Sequence, residues 1–204
     1  MKKVIAVLSL VFAVFSSQVM ADAASELKNR LAVVSTLHAN FKQTVYSADN
    51  KVVQDGRGEL WLKRPNLFRW HMTSPDESLL VSDGKTFWLY DPFVEQVTIN
   101  SLNNVTDNTP FMLITRNSDT EWQKYTIKQK GDTFTLTPKT KLGDLKPFDI
   151  TVNKEGMINS FVAKESDGQR SVYQLSSHNS SAVISADKFK FTVPKGVTVD
   201  DQRQ

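Results

Sequence analysis

The alternation in residues 66–72 constrains the fold more than any other feature of the sequence. Phe68, Trp70 and Met72 occupy every second position, and two of the positions between them carry Arg69 and His71. Successive side chains of a β-strand point to opposite faces, so this spacing predicts a strand with one apolar face and one mostly charged face.

Similar strands are predicted along most of the chain. Asp83-Gly84 is typical of a tight hairpin turn, here between strands at residues 79–81 and 86–90. Further alternating segments follow, and the last covers residues 189–193. About ten or eleven strands with short turns predict one antiparallel sheet, and a sheet of that size curls or closes into a barrel.

Two helices are predicted beside this sheet. Residues 24–35 carry Leu27, Leu31 and Val34 at spacings of four and three, which is typical of an amphipathic helix. Thr109-Pro110 predicts the start of a second helix, which continues with four apolar residues. A helix so short and so apolar needs cover, so we expect it to form a lid over the sheet.

The first 21 residues predict a secretory signal peptide. Lys2 and Lys3 precede an apolar run over residues 4–15, which is short for a bilayer span. We expect cleavage before Asp22 and a single exported domain over residues 22–204. A retained N-terminal anchor is the alternative.

Charge and cysteine content exclude several classes of function. The predicted leader holds two of the 25 basic residues and none of the 22 acidic residues, so the mature chain is close to neutral. A neutral chain has no long-range attraction to nucleic acid or to anionic membranes. The chain contains no cysteine, which excludes disulfides, thiolate catalysis and thiolate metal sites.

The sequence contains no recognisable catalytic or metal-binding motif. A Gly-x-Ser-x-Gly elbow and a phosphate-binding loop are both missing. His38, His71 and His178 lie in separate segments without the spacing of metal ligands. We expect no catalytic residue, no metal and no cofactor, and a metal site assembled in space by His71 and carboxylates is the alternative.

The apolar strand face has two interpretations. It fills a barrel or sandwich core, as most such faces do, or it lines a pocket for an apolar ligand. Methionine beside large aromatic residues suits an adaptable lining, and the apolar lid supplies a movable cover. We therefore expect a concave side left underfilled for hydrocarbon tails. The candidate lining residues are Phe68, Trp70, Met72, Leu80, Phe87 and Leu89 from strands and Phe111, Met112 and Ile114 from the lid.

Arg64 is a further candidate. It lies at the end of an apolar strand, directly before Pro65, where its guanidinium could reach backbone carbonyls at a helix end. From spacing alone, an ordinary solvated arginine beside Lys63 is an equally good interpretation.

Several motifs occur in a specific order along the chain. They are Lys63-Arg64-Pro65-Asn66-Leu67-Phe68-Arg69-Trp70, Ser82-Asp83-Gly84-Lys85, Asp91-Pro92 with Glu95-Gln96, and Asn108-Thr109-Pro110-Phe111-Met112-Leu113. This ordered set resembles the LolA family of periplasmic outer-membrane lipoprotein carriers, and the likeness extends from the leader to residues 200–203. Each motif is weak alone, whereas the ordered set is specific.

The resemblance implies a mainly β fold, an unclosed antiparallel barrel with short helices over its opening and a cavity for acyl chains. It implies that Arg64 holds the lid closed through carbonyls of the covering helices, and that Phe68 helps to receive cargo. The implied partners are outer-membrane lipoproteins, the inner-membrane ABC transporter LolCDE as donor and the outer-membrane receptor LolB as acceptor. The carrier is expected to be a periplasmic monomer without enzymatic activity.

Two functions of other classes remain open from the residues themselves. A periplasmic hydrolase acting on lipid or glycan would need a nucleophile or a carboxylate pair at the cavity mouth. A structural module would dock other proteins through a filled barrel.

Overall fold

The computed structural model describes residues 15–102, 110–139, 147–165 and 167–203. Within these residues, twelve strands form one sheet, and three α-helices have described bounds. The helices are α1 (Phe15–Ala32), α2 (Pro110–Arg116) and α3 (Asp119–Trp122). None of these helices is both long enough and apolar enough to cross a bilayer.

The strands occupy the segments in which apolar residues recur at every second position. Most are separated by short turns, so neighbours in sequence usually become neighbours in space. Their bounds are β1 (Thr36–Tyr46), β2 (Val52–Lys63), β3 (Leu67–Ser74), β4 (Ser78–Asp83), β5 (Thr86–Asp91), β6 (Gln96–Ser101), β7 (Tyr125–Lys130), β8 (Thr133–Pro138), β9 (Phe148–Val152), β10 (Ile158–Lys164), β11 (Arg170–Asn179) and β12 (Thr198–Asp201).

The spatial order of the strands is β12-β6-β5-β4-β3-β2-β1-β11-β10-β9-β8-β7. The long antiparallel pairing of β1 with β11 joins the two halves, and β12 and β7 form the two edges. Because these edges do not pair with each other, the curved sheet is unclosed. The predicted fold class is therefore confirmed, with twelve described strands in place of the expected ten or eleven.

The C-terminal segment differs from the sequence prediction. The predicted last strand is instead a 3₁₀ helix, Ala186–Phe189, followed by an irregular segment. Phe189 is buried, and the ring centroid of Phe191 lies 6.2 Å from that of Trp88 and 5.6 Å from that of Tyr90. These phenylalanines cover the outer face of the sheet instead of pairing as a strand. Backbone pairing resumes at β12, which lies parallel to β6.

The first helix also differs from its predicted bounds. It begins at Phe15 and ends at Ala32, a few residues before the predicted end at residue 35. The predicted leader boundary before Asp22 falls within this helix of the full-length chain. Cleavage at that boundary stays a prediction.

The main apolar core lies between the concave face of the sheet and the helices. Leu27 and Leu31, one turn apart on α1, are fully buried. On β1 the buried apolar residues are Leu37, Ala39 and Phe41, because alternate side chains of a strand point to the same face. Helix α1 contacts β7 and β9, whereas α2 contacts β3, so the helices cover both halves of the sheet.

Gly58 on β2 allows an aromatic ring to lie flat on the sheet. It pairs with Phe41, and a Cβ at this position would lie 2.1 Å from the His71 carbonyl oxygen and 2.5 Å from Phe41 Cζ. A backbone carbonyl within a sheet cannot move aside easily. The missing side chain therefore sets the position of the Phe41 ring.

We expect Gly58→Ala to lower the free energy of unfolding by about 3 kcal/mol, because it overpacks the core against backbone. Urea denaturation of the mature protein measures this loss. Gly131→Ala is a suitable comparison, because Gly131 has open space around it and only a positive φ of 61° to strain. That change should cost about 1 kcal/mol. Equal losses in the two variants would contradict the packing explanation.

Candidate functional site

Five of the predicted lining residues meet in the apolar interior. Phe68, Trp70 and Phe87 from the strands and Met112 and Ile114 from α2 are each at most 5% exposed and belong to one cluster. Alternation along β3 puts Phe68 and Trp70 on the same face, and α2 lies against that strand. The lid helix and the strand face are therefore in contact.

The other four predicted lining residues have different positions. Met72 and Leu80 are half-buried and pack against the cluster. Leu89 is 41% exposed, so it lies outside the buried cluster, and its role as a lining residue stays a prediction. Its neighbours across the sheet are Leu80 and Thr98, and the short polar Thr98 gives it little apolar cover. The side chain of Phe111 lies outside the described part of the chain.

Where an underfilled face was expected, aromatic rings of the described residues pack against one another on part of the concave face. Phe41 and Trp70 stack with their ring centroids 3.8 Å apart, and Tyr173 meets Trp70 edge-on at 5.1 Å. Each such aromatic pair contributes about 0.5–1.5 kcal/mol beyond its buried area. An apolar ligand could therefore enter this part of the face only when rings or helices move apart.

Sequence reasoning missed much of this face because it considered only the strands near residues 66–90. Strands outside this region, such as β1, β8 and β9, carry the same alternation, and this signal could have identified their residues. The additional large apolar members of the cluster are Phe41, Leu60, Leu62, Phe134, Leu136, Phe148, Ile150, Phe161 and Leu175.

Arg64 connects the sheet to both covering helices. It directly follows β2, and its backbone N–H donates to the Ser35 carbonyl at 2.9 Å. Its Nη1 donates to the Leu31 carbonyl of α1 at 2.6 Å. Its Nε and Nη2 donate to the Ile114 carbonyl of α2 at 3.0 and 2.8 Å. One guanidinium thus binds two helices, although its role as a latch stays a prediction.

The two carbonyls that Arg64 binds lie in the last turns of α1 and α2. Carbonyls in the last turn lack a partner within their helix and carry the negative end of the helix dipole. Burial lowers the pKa of Arg64 to about 10, and no carboxylate of the described residues offsets this shift. The side chain is therefore a charged donor at neutral pH whose partners are carbonyl dipoles.

Two asparagines reinforce the same junction. Asn66 Oδ1 accepts a hydrogen bond from Arg116 Nε at 3.3 Å. Asn117 Nδ2 donates to the Lys28 carbonyl of α1 at 3.3 Å, and its Oδ1 accepts from Trp122 Nε1 at 2.9 Å. Both asparagines have positive φ, 65° and 46°, which asparagine tolerates better than most residues.

The three histidines lie apart. His71 Nε2 is 2.8 Å from Glu77 Oε1, His178 Nε2 is 2.7 Å from a backbone carbonyl oxygen, and His38 stacks on Trp61. In the part of the chain that the structure describes, no three metal-ligating side chains form a cluster. The arrangement at His71 is an exposed histidine–carboxylate pair.

The fold and the site together define a class of protein. Its members have an unclosed β-sheet whose apolar face is covered by helices, and here Arg64 joins two of these helices to the sheet. The family model for the outer membrane lipoprotein carrier protein LolA matches residues 32–192. Outer-membrane lipoprotein carrier proteins from Serratia proteamaculans and Yersinia pestis are 59% and 57% identical to this chain, and each alignment covers 100% of both sequences. The chain therefore belongs to the LolA family.

Solved structures share the fold at much lower identity. A LolA superfamily protein from Nitrosomonas europaea has a TM-score of 0.50 at 14% identity, over 83% of this chain and 97% of its own. An uncharacterized conserved protein from Thermus thermophilus has a TM-score of 0.55 at 12% identity, over 88% and 99% of the two chains. At these identities the likeness concerns the fold alone.

We expect Arg64→Leu to loosen α2. The change removes the guanidinium donor from the Leu31 and Ile114 carbonyls, although the Leu31 carbonyl still accepts from the Val34 backbone N–H at 3.1 Å. A hydrogen bond to a charged group contributes about 1.5–3 kcal/mol. Local opening of α2 should become roughly 30-fold more frequent, which hydrogen exchange in peptides over residues 110–122 measures. Arg57→Leu, at an exposed arginine of β2, is the control. Indistinguishable exchange in the two variants would contradict a bond that holds the lid.

Proposed function

We propose that the mature chain is a periplasmic chaperone that carries outer-membrane lipoproteins between the two membranes. It accepts a lipoprotein from the inner-membrane ABC transporter LolCDE, shields the acyl chains against its concave face and passes the cargo to the receptor LolB. It acts as a monomer and by binding alone, with residues 1–21 removed as a signal peptide. The names of relatives that are 57–59% identical support lipoproteins as the cargo class.

One observation carries this proposal: a half-buried cation joins two helices to a face that is mainly apolar. Placing Arg64 between helix and sheet has a desolvation cost, which an apolar residue would avoid in a permanent core. Three hydrogen bonds to two carbonyls can break and re-form together when the helices move. This arrangement suits a cover that opens and closes.

The acyl chains explain why such a carrier is needed. At about 0.8 kcal/mol for each buried CH₂, a 16-carbon chain resists leaving a bilayer by about 12 kcal/mol. A lipoprotein has two or three such chains, so it crosses the periplasm very slowly without help. An apolar face that covers much of the chain surface offsets this cost.

Loading requires the helices to move away from the concave face. The Phe41 and Trp70 rings then exchange their contact with each other for contacts with hydrocarbon. Opening the cover costs free energy, and this cost reduces the net free energy of binding cargo. For binding to stay favourable, the closed state must lie only a few kcal/mol below the open state. If the carrier binds cargo more weakly than the receptor LolB does, cargo passes from carrier to receptor without ATP in the periplasm. The acyl-contact residues that we propose are Phe68, Trp70, Met72, Leu80, Phe87, Leu89, Phe111, Met112 and Ile114.

A release experiment tests this function. Proteoliposomes that contain LolCDE and a fluorescent lipoprotein are incubated with ATP and the purified mature chain. We expect soluble one-to-one complexes of carrier and intact lipoprotein, which size-exclusion chromatography separates from the vesicles. Lipoprotein that stays with the vesicles would contradict the proposal, and released lipoprotein that has lost acyl chains would indicate a hydrolase.

We expect Arg64→Leu to load normally and to transfer cargo more slowly to vesicles that contain LolB. Without the latch the closed state competes less with cargo, so the loaded state becomes roughly 30-fold more stable if the latch contributes about 2 kcal/mol. The measurement is the rate at which fluorescence moves from soluble complexes to receptor vesicles. Arg57→Leu should transfer like the unmodified chain. Unchanged transfer by Arg64→Leu would remove Arg64 from the mechanism.

A further inference from the structure

The concave face becomes polar at the end that lies far from Arg64. Strand β1 begins beside the latch, where the carbonyl of Ser35 binds the Arg64 backbone, and runs away from it to Tyr46. Its inward residues up to Phe41 are apolar. The next inward residue is Gln43, which is only 8% exposed. A carboxamide therefore ends the apolar stripe inside the protein.

With its carboxamide oriented so that Nε2 faces the hydroxyls of Tyr173 and Ser171, Gln43 has a partner for its amide nitrogen but not for its oxygen. Nε2 donates to Tyr173 Oη at 3.2 Å and lies 3.5 Å from Ser171 Oγ. Oε1 is shielded from solvent and has no hydrogen-bond partner among the described residues. A buried acceptor without a donor destabilises a fold, and such groups are rare in native proteins. The buried position of the Gln43 side chain is therefore better explained by a ligand that supplies the missing donor than by packing within the protein.

Oε1 of Gln43 lies near the backbone of Gly56 and near the flexible side chain of Met72. Gln43 pairs with Gly56 of β2, where a Cβ would lie 3.3 Å from Oε1 and 3.1 Å from Met72 Sδ. Met72 and Tyr173 are only partly buried, and both pack against the apolar cluster. A ligand with its chains on that cluster would have its polar end near Gln43.

We propose that Gln43 Oε1 accepts a hydrogen bond from an amide N–H of the lipid-modified N-terminal cysteine of the cargo. This inference rests on the proposed function and names the part of the cargo that the site recognises. The unpartnered atom is an acceptor, so the matching group is a donor. Amide N–H groups flank the acylated cysteine of a lipoprotein, whereas the ester links of a diacyl lipid with the same chains contain no N–H. The Gln43 subsite would thus distinguish the amide-flanked cysteine of a lipoprotein from the ester links of a diacyl lipid.

A comparison of two ligands tests the inference on the unmodified protein. One is a triacylated lipopeptide, and the other is its analogue in which ester oxygens replace both amide nitrogens that flank the cysteine. Displacement of a fluorescent fatty acid from the purified mature chain gives both affinities. We expect the amide ligand to bind about fivefold to tenfold more tightly, the range of one hydrogen bond in a dry site. Equal affinities would overturn the inference.

Gln43→Met extends the test to the side chain. This variant keeps the length of the side chain and removes its acceptor, so we expect it to bind both ligands within about twofold of each other. Gln174→Met, the same change at an exposed glutamine of β11, should keep the full preference. A preference that survives in Gln43→Met would also overturn the inference.

The same measurements separate this inference from the proposed function. If the unmodified chain binds neither ligand, the carrier function fails and the subsite fails with it. If the unmodified chain binds both ligands equally well, acyl-chain binding stands and only the role of Gln43 is lost.

Discussion

The contact between the Arg64 guanidinium and two helix ends joins the sheet to its cover, and we propose that the covered state depends on it. Its partners are backbone carbonyls and not carboxylates, and this difference determines how firmly the cover is held. Breaking a buried ion pair leaves an uncompensated charge and costs about 3–5 kcal/mol. Carbonyls at a helix end can instead bind water once exposed, so opening leaves a solvated cation and solvated dipoles. The closed state is thus held without being fixed.

The rest of the fold places this contact where it acts on the whole cover. Strand β2 ends beside the last turns of both α1 and α2, so one side chain reaches both. Asn66 and Asn117 add bonds from the turn after β2 and from the end of α2. On the opposite side of the cluster, Gly58 lets the Phe41 ring lie against Trp70. The helices and the concave face of the sheet therefore meet through contacts that a single movement of the helices can separate.

The sequence predicts the strands better than it predicts their use. The strands predicted at residues 79–81 and 86–90 are present as β4 (Ser78–Asp83) and β5 (Thr86–Asp91), since local pattern and pairing agree there. The segment with Phe189 and Phe191 has the same alternation, but its rings cover the outer face. Nothing in the local sequence pattern indicates this tertiary packing. Leu89 lies two residues after the inward-facing Phe87, as alternation along β5 requires for the concave face. Alternation does not reveal, however, that Thr98 is its neighbour across the sheet. Gln43 is inconspicuous in sequence, because only three-dimensional structure shows that its oxygen lacks a donor.

The parallel strand β12 has a consequence for how these molecules behave in a crowded compartment. An unpaired sheet edge exposes backbone donors and acceptors on which another chain can add a strand. Strand β12 occupies the edge of β6 with only four residues, and two of them are Asp200 and Asp201. A short, acidic border is a poor template for a neighbouring copy. At this edge the sheet therefore ends in a way that discourages growth into fibres, even though its interior is rich in strand-forming apolar segments.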